Sequence, residues 1–128
     1  MTTDSPFTIL GQRTTGSIDA EQLETFPTPD GVQYVTFETT ELTAFCPITH
    51  QPDFYRVFIE FAPRERCLES KSLKLYLMSF RERGMFAEAL SAELADALYQ
   101  RLEPKVITVT VHQQPRGGLE LTASAQRP

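Results

Sequence analysis

The chain has 128 residues, 41% of them hydrophobic, and a formal net charge of −5. That suits one domain with one core, small enough that self-association would help to cover its apolar surface. The acidic balance argues against broad nucleic-acid binding, which needs a basic footprint. No stretch reaches the roughly 20 apolar residues of a membrane span.

Residues 1–31 are polar and carry turn signals at Gly11, Gly16, Pro27, Pro29 and Asp30-Gly31, which predicts an extended N-terminal arm. Met1 to Pro6 has neither a basic region nor an apolar run, so no secretory leader is expected. Gln33 to Thr40 alternates, with Val32, Tyr34 and Thr36 on one face and Val35 and Phe37 on the other, and predicts a strand. Pro47 and Pro52 predict a loop over residues 41–53. Phe54 to Phe61 predicts a second strand that Pro63 ends.

Leu73, Tyr76, Leu77 and Phe80 recur at helical spacing, with Gly84 able to stop the helix in a left-handed cap. Leu73, Leu75 and Leu77 also alternate, so a strand stays open there. Met85 to Leu102 predicts a second helix through Phe86, Leu90, Leu94, Leu98 and Leu102, closed by Pro104. Lys105 to Val111 reads as a strand with Ile107, Val109 and Val111 on one face, and Leu119 to Ala123 as a short last strand. The order ββααββ predicts an α+β fold, an antiparallel sheet with two helices on one face. The whole of 1–128 reads as one domain.

Four groups of residues could carry chemistry. Cys46, in Phe45-Cys46-Pro47-Ile48-Thr49, is either a nucleophile or a small buried hydrophobe. Asp53, in Gln51-Pro52-Asp53-Phe54, is either a proton-transfer acid walled by Phe45 and Phe54 or a turn aspartate after proline. Glu88 is either a ligand-holding carboxylate, bracketed by Phe86 and Leu90, or a solvated helix residue. Lys71, Lys74, Arg81 and Arg116, with Ser70 and Ser72 near a helix start, are either an anion-binding set or a wet face. Cys67 lacks such a context, and His112 on a predicted strand reads as structural or solvated. Two cysteines are too few for a disulfide scaffold and lack zinc-ligand spacing, which fits a cytoplasmic protein with reduced thiols. No Gly-x-Gly-x-x-Gly follows a strand, so a dinucleotide would not be held in a Rossmann site.

Glu69-Ser70-Lys71-Ser72-Leu73-Lys74-Leu75-Tyr76 and Ser79-Phe80-Arg81, downstream of the cysteine and aspartate motifs, resemble the nitrile reductases that convert 7-cyano-7-deazaguanine to 7-aminomethyl-7-deazaguanine with NADPH, the QueF family of the queuosine pathway of tRNA modification. The likeness runs from about Leu10-Gly11 to Gly117-Gly118. It implies the tunnelling fold, a homo-oligomeric barrel with active sites between subunits, and no metal, direct nucleic-acid or membrane partner. It implies that Cys46 forms a thioimide, that Asp53 moves protons, and that Glu88, Glu69 and Ser70 bind the deazaguanine. Ser70, Lys71, Ser72, Lys74, Arg81 and Arg116 would hold NADPH, with Pro115-Arg116-Gly117-Gly118 matching a family loop whose glycines permit close approach of a ligand.

One residue departs from the family pattern. Phe86-Ala87-Glu88 stands where Phe-His-Glu is usual, and alanine can neither donate, accept nor titrate. The change could be a tolerated variant, an engineered knock-out or a diverged activity, and His50 could approach the thiol and compensate in part. Two rivals therefore remain: a thioimide-forming amidinotransferase, like the archaeal relatives that make archaeosine on tRNA but lack the NADPH motif, and a deazaguanine-binding protein without the chemistry.

Overall fold

The computed structural model of the chain describes residues 16–128. The first part of the expected arm, and Leu10-Gly11, lie outside the described residues. From 16 to 31 the arm is not simply extended: a 3-10 turn at Ala20–Gln22 precedes strand β1 (Thr25–Pro27). β1 pairs antiparallel with β4 (Arg66–Leu68), a two-stranded sheet that the polar sequence did not announce.

The main sheet has four antiparallel strands in the order β2 (Val35–Phe45), β3 (Pro52–Ala62), β5 (Val106–Arg116) and β6 (Leu119–Arg127). Helices α1 (Ser70–Met78) and α2 (Ala87–Leu102) cover one face of it. Strand side chains alternate between faces. Tyr55, Val57, Ile59 and Phe61 of β3 and Ile107, Val109 and Val111 of β5 therefore share the helix side. There they form one core with Leu73 and Leu77 of α1 and Leu90, Leu94, Leu98 and Leu102 of α2. The opposite face is polar, with cross-strand pairs Thr110–Ser124 at 2.9 Å, His112–Thr122 at 2.8 Å and Arg56–Glu38 at 3.9 Å. His112 is thus a strand-pairing residue.

The predicted α+β order is observed, with changes in its elements: β5 runs on past Val111 to Arg116, and the last strand, expected to be short, reaches Arg127. Residues 41–45 belong to β2, not to a loop. A register shift between Thr39 and Leu42 reverses the alternation: Val35, Phe37 and Thr39 face the helices before it, and Leu42 and Ala44 after it. A bulge of this kind inserts one unpaired residue and swaps the faces, so the period was lost to inspection while the strand continued. Gly84 caps no helix. α1 ends at Met78 with Ser79 in the right-handed region, and Gly84 instead forms an isolated parallel bridge with Phe45. Phe86 is the N-cap of α2 and is 53% exposed, so the buried stripe begins at Ala87 and continues through Leu90.

The start of α1 is locked to the N-terminal segment. Ser72 is fully buried; its hydroxyl donates to the Glu69 carbonyl at 2.9 Å and accepts from the Glu24 N–H at 3.0 Å. The Glu69 N–H donates back to the Glu24 carbonyl at 2.9 Å. Both hydrogen-bonding functions of the Ser72 hydroxyl are spent inside the protein, where it fastens the start of α1 to the N-terminal segment. Ser72→Ala should strand the Glu24 N–H at a cost of about 1–3 kcal/mol. A thermal melt should show this as a fall of several degrees.

Candidate active site

Three side chains from separate segments converge on the helix side of the sheet, and two bulges put them there. The shift in β2 places Leu42, Ala44 and then Cys46 on that side. Asp53 pairs with Ala44 and shares its face. On β5 a second register shift falls between Gln113 and Arg116, which turns Arg116 towards the helices. There its guanidinium donates to the Asp53 carboxylate, and it also reaches Gln51 Oε1 at 3.5 Å. Gly117 and Gly118 close the β5–β6 hairpin at φ 60° and 81°, the backbone that a two-residue turn requires. Their role is thus explained by the turn, without a ligand.

Cys46 begins a short turn between β2 and β3. Its N–H donates to the Gln51 carbonyl at 2.9 Å, and the His50 N–H donates to the Cys46 carbonyl at 2.9 Å. The turn aims donors at the sulfur. The Thr49 hydroxyl, then the Thr49 and Ile48 N–H groups, and lastly the Arg116 guanidinium, bring the thiol down from 9.0 to about 7 against the opposing effect of burial, which outweighs that of Arg116. Such a thiol is about half ionised at neutral pH, the state in which sulfur is nucleophilic. The groups that shift Cys46 do not include His50, which sits exposed in the left-handed region at φ 59°.

Asp53 is 4% exposed, the second residue of β3. The expected apolar wall is absent: Phe45, next to Ala44 and paired with Pro52, points to the face away from Asp53. Phe54 leaves the strand on the opposite face and is 52% exposed, so it cannot enclose Asp53. The enclosure comes from the helix side, where Tyr55 is fully buried.

Glu88 lies in the first turn of α2, and that turn is tied to the cysteine segment. The Phe45 N–H donates to the Arg83 carbonyl at 2.7 Å, and the Met85 N–H to the Phe45 carbonyl at 2.9 Å. Arg83 grips Glu93 of α2 through two bonds of 2.6 and 2.8 Å. Glu88 is exposed, outside the apolar stripe that was expected to shelter it. Its charge nevertheless reaches the Tyr55 hydroxyl together with those of Asp53, Cys46 and Arg116. Tyr55 itself was missed. An alternating strand tyrosine reads as core, and only its hydroxyl's surroundings mark it out.

The basic set divides. Ser70, Lys74 and Arg81 line a groove of about 410 Å³ between α1 and β2, floored by Leu42, Val57, Leu73 and Leu77. Glu69 is the N-cap of α1: its carboxylate accepts from the N–H groups of Lys71 and Ser72, both at 2.7 Å. The positive end of that helix is therefore already met by a carboxylate. Lys71 is half-buried beside it. Arg116 stands apart from the groove, with the cysteine. Leu42 borders the groove and precedes Cys46 by four residues, about 13 Å along a strand. Cys67 is buried against the Thr28 hydroxyl at 3.6 Å. No group of three or more His, Cys, Asp or Glu among the described residues is placed to hold a metal ion. None of their helices is long and apolar enough to cross a membrane.

An ionisable cysteine and a buried carboxylate that share the Arg116 guanidinium, both presented by an antiparallel sheet, make this the candidate active site of an enzyme. The family described as "QueF-like protein" matches residues 52–128. The NADPH-dependent 7-cyano-7-deazaguanine reductase of Frankia casuarinae is 48% identical over 103 residues, 80% of this chain and 82% of that one. The enzyme of the same name from Syntrophus aciditrophicus is 41% identical over 124 residues, 95% of this chain and 86% of that one. Among solved structures, the archaeosine synthase QueF-Like in its apo form superposes with a TM-score of 0.69 at 26% identity, covering 73% of this chain and 92% of that one. The chain belongs to the QueF family.

Proposed function

We propose that this protein is an NADPH-dependent reductase of the nitrile of 7-cyano-7-deazaguanine, forming 7-aminomethyl-7-deazaguanine for queuosine. The observation that carries the reading is a thiol of pKa about 7 beside Asp53, in a chain 48% identical to a reductase of that name. Cys46 Sγ adds to the nitrile carbon, and the π pair of the C≡N bond moves to nitrogen. The proton lost by the thiol reaches that nitrogen through Asp53, leaving a thioimide, S–C(=NH). Glu88 accepts the paired N–H donors of the deazaguanine edge. Glu69 and Ser70 border the substrate from the start of α1.

The residues present fit a phosphate-bearing dinucleotide. Lys74, Arg81 and Ser70 ring an apolar-floored groove, with Lys71 one turn away, and cations with hydroxyls are what phosphates need where no Gly-rich loop exists. Bound NADPH would supply the hydride that reduces the C=N bond, a second equivalent completing the amine. Arg116 serves the thiol and Asp53 in place of the cofactor role expected of it.

Within one subunit the groove and Cys46 are separate features along β2. Both β2 and β6 are edge strands of the sheet, so sheet continuation between copies would bring one subunit's groove towards another's cysteine. The working unit is a homo-oligomer with sites between subunits, acting in the cytoplasm, where thiols stay reduced. The archaeosine synthase of like fold keeps an amidine-forming alternative in view; Lys74 and Arg81 share the groove with Glu38 and Glu41, so it is the 48% identity to a reductase that favours reduction.

The test is to mix the protein with NADPH and 7-cyano-7-deazaguanine and follow nicotinamide oxidation. Nitrile-dependent oxidation that disappears in Cys46→Ala is the expected result. No oxidation, with ammonia-dependent amidine formation instead, would refute reduction.

A further inference from the structure

Tyr55 takes no part in the steps above, yet it sits among all their residues. It follows Asp53 by two positions on β3, so both side chains leave the strand on the helix side. It is fully enclosed at 0% exposure, and its hydroxyl finds no hydrogen-bond partner among the described residues. A buried tyrosine hydroxyl is ordinarily bonded, because leaving it unpaired forfeits its hydration.

The surroundings of this orphan are specific. Burial first, then the charges of Asp53 and Cys46, push its pKa up to about 12, with Arg116 opposing and Glu88 adding. The hydroxyl therefore keeps its proton at neutral pH and has it to donate. Ala87, immediately before Glu88, is also fully enclosed and belongs to the same core cluster as Tyr55. Its methyl side chain brings no polar atom to that cluster.

We infer that Tyr55 is a catalytic residue, whose hydroxyl donates a hydrogen bond to the nitrogen of the substrate as the nitrile becomes the thioimide, supplying the polar contact that Ala87 cannot. The inference rests on the reductase reading. As Cys46 adds, the nitrogen gains a lone pair. Asp53 delivers one proton to it, and the remaining lone pair of S–C(=NH) accepts from Tyr55 without transfer of that second proton. Charge developing on nitrogen is thereby stabilised by a donor already in place.

Tyr55→Phe tests this because it removes the hydroxyl alone. Nitrile-dependent NADPH oxidation, the rate of mass gain at Cys46 with nitrile alone, and thermal melting are compared with the unaltered protein. The expected result is a kcat lower by about 10²-fold, with a melting temperature equal or higher, since an unpaired buried hydroxyl is lost. Unchanged kcat overturns the inference, as does a kcat loss accompanied by a fall of several degrees in melting, which would make the hydroxyl structural. If the unaltered protein forms the adduct but oxidises no NADPH, the adduct rate decides: slower in Tyr55→Phe supports the inference, and equal overturns it. Neither oxidation nor adduct in the unaltered protein overturns the reductase reading and this inference with it.

Discussion

Asp53→Asn is expected to slow nitrile-dependent NADPH oxidation by about 10²–10⁴-fold, the range lost when a positioned proton carrier is removed. Asparagine has nearly the shape of aspartate, and its carbonyl can still accept from the Arg116 guanidinium. The hydrogen bond between β3 and β5 therefore survives in neutral form, and melting should stay close to that of the unaltered protein. What disappears is the capacity to take the thiol's proton and return it to nitrogen. Thiol addition needs that transfer, because a nitrile nitrogen left unprotonated expels the sulfur again. The matching measurement is mass gain at Cys46 with nitrile alone, which should fall together with turnover. Adduct formation at the ordinary rate with turnover lost would move the role of Asp53 to the reduction steps. Full activity would remove Asp53 from proton transfer. Arg116→Ala is a poorer probe, because it leaves a 4%-exposed carboxylate without its charge partner and so disturbs the fold as well as the chemistry.

The periodic elements were legible because local and global preferences agree in them. Leu90, Leu94, Leu98 and Leu102 mark α2, and Ile107, Val109 and Val111 mark the buried face of β5, since each stripe has one period and one face to bury. Legibility failed where the period breaks. The bulge between Thr39 and Leu42 hid half of β2, and the one between Gln113 and Arg116 hid the reach of Arg116 to Asp53. A bulge is a relation between two strands, so one strand's sequence carries little sign of it. These two breaks also position the site: without either, Cys46 or Arg116 would point to the opposite face from Asp53.

Residue identity raised the right candidates but not their company. Ser72 and Glu69 belong to a motif that reads as anion-binding, yet the fold uses Ser72 to hold Glu24 and uses the Glu69 carboxylate to cap α1. The contact between Ser72 and Glu24 spans 48 residues of sequence and leaves no local pattern, whereas the Glu69 cap reaches only two and three residues along the chain. The unpaired hydroxyl of Tyr55 emerges only when burial and hydrogen bonding are known together.

Cys46 should react with iodoacetamide along a pH curve centred near 7 in the folded protein and near 9.0, the ordinary thiol value, when unfolded in urea. The sign follows from the donors. Thr49 above all, then Ile48 and Arg116, favour the negative sulfur, so the thiolate persists to lower pH when the turn is formed. At pH 7 a thiol of pKa 7 is about half ionised and one of pKa 9 about 1%, roughly a fifty-fold difference in reactive form. Part of that factor is offset because a less basic thiolate is also less nucleophilic, so a native rate about tenfold above the unfolded one is the expected reading. Cys67, 3% exposed, should stay silent while the fold holds, so native labelling reports Cys46 alone. Thr49→Val keeps the backbone donors and removes only the hydroxyl, the largest single influence on the sulfur, and should move the native midpoint upward without reaching 9. A native midpoint that already stands near 9 would deny the turn its effect on the sulfur. The nucleophile would then owe its activation to groups that arrive with the substrate or with a neighbouring subunit.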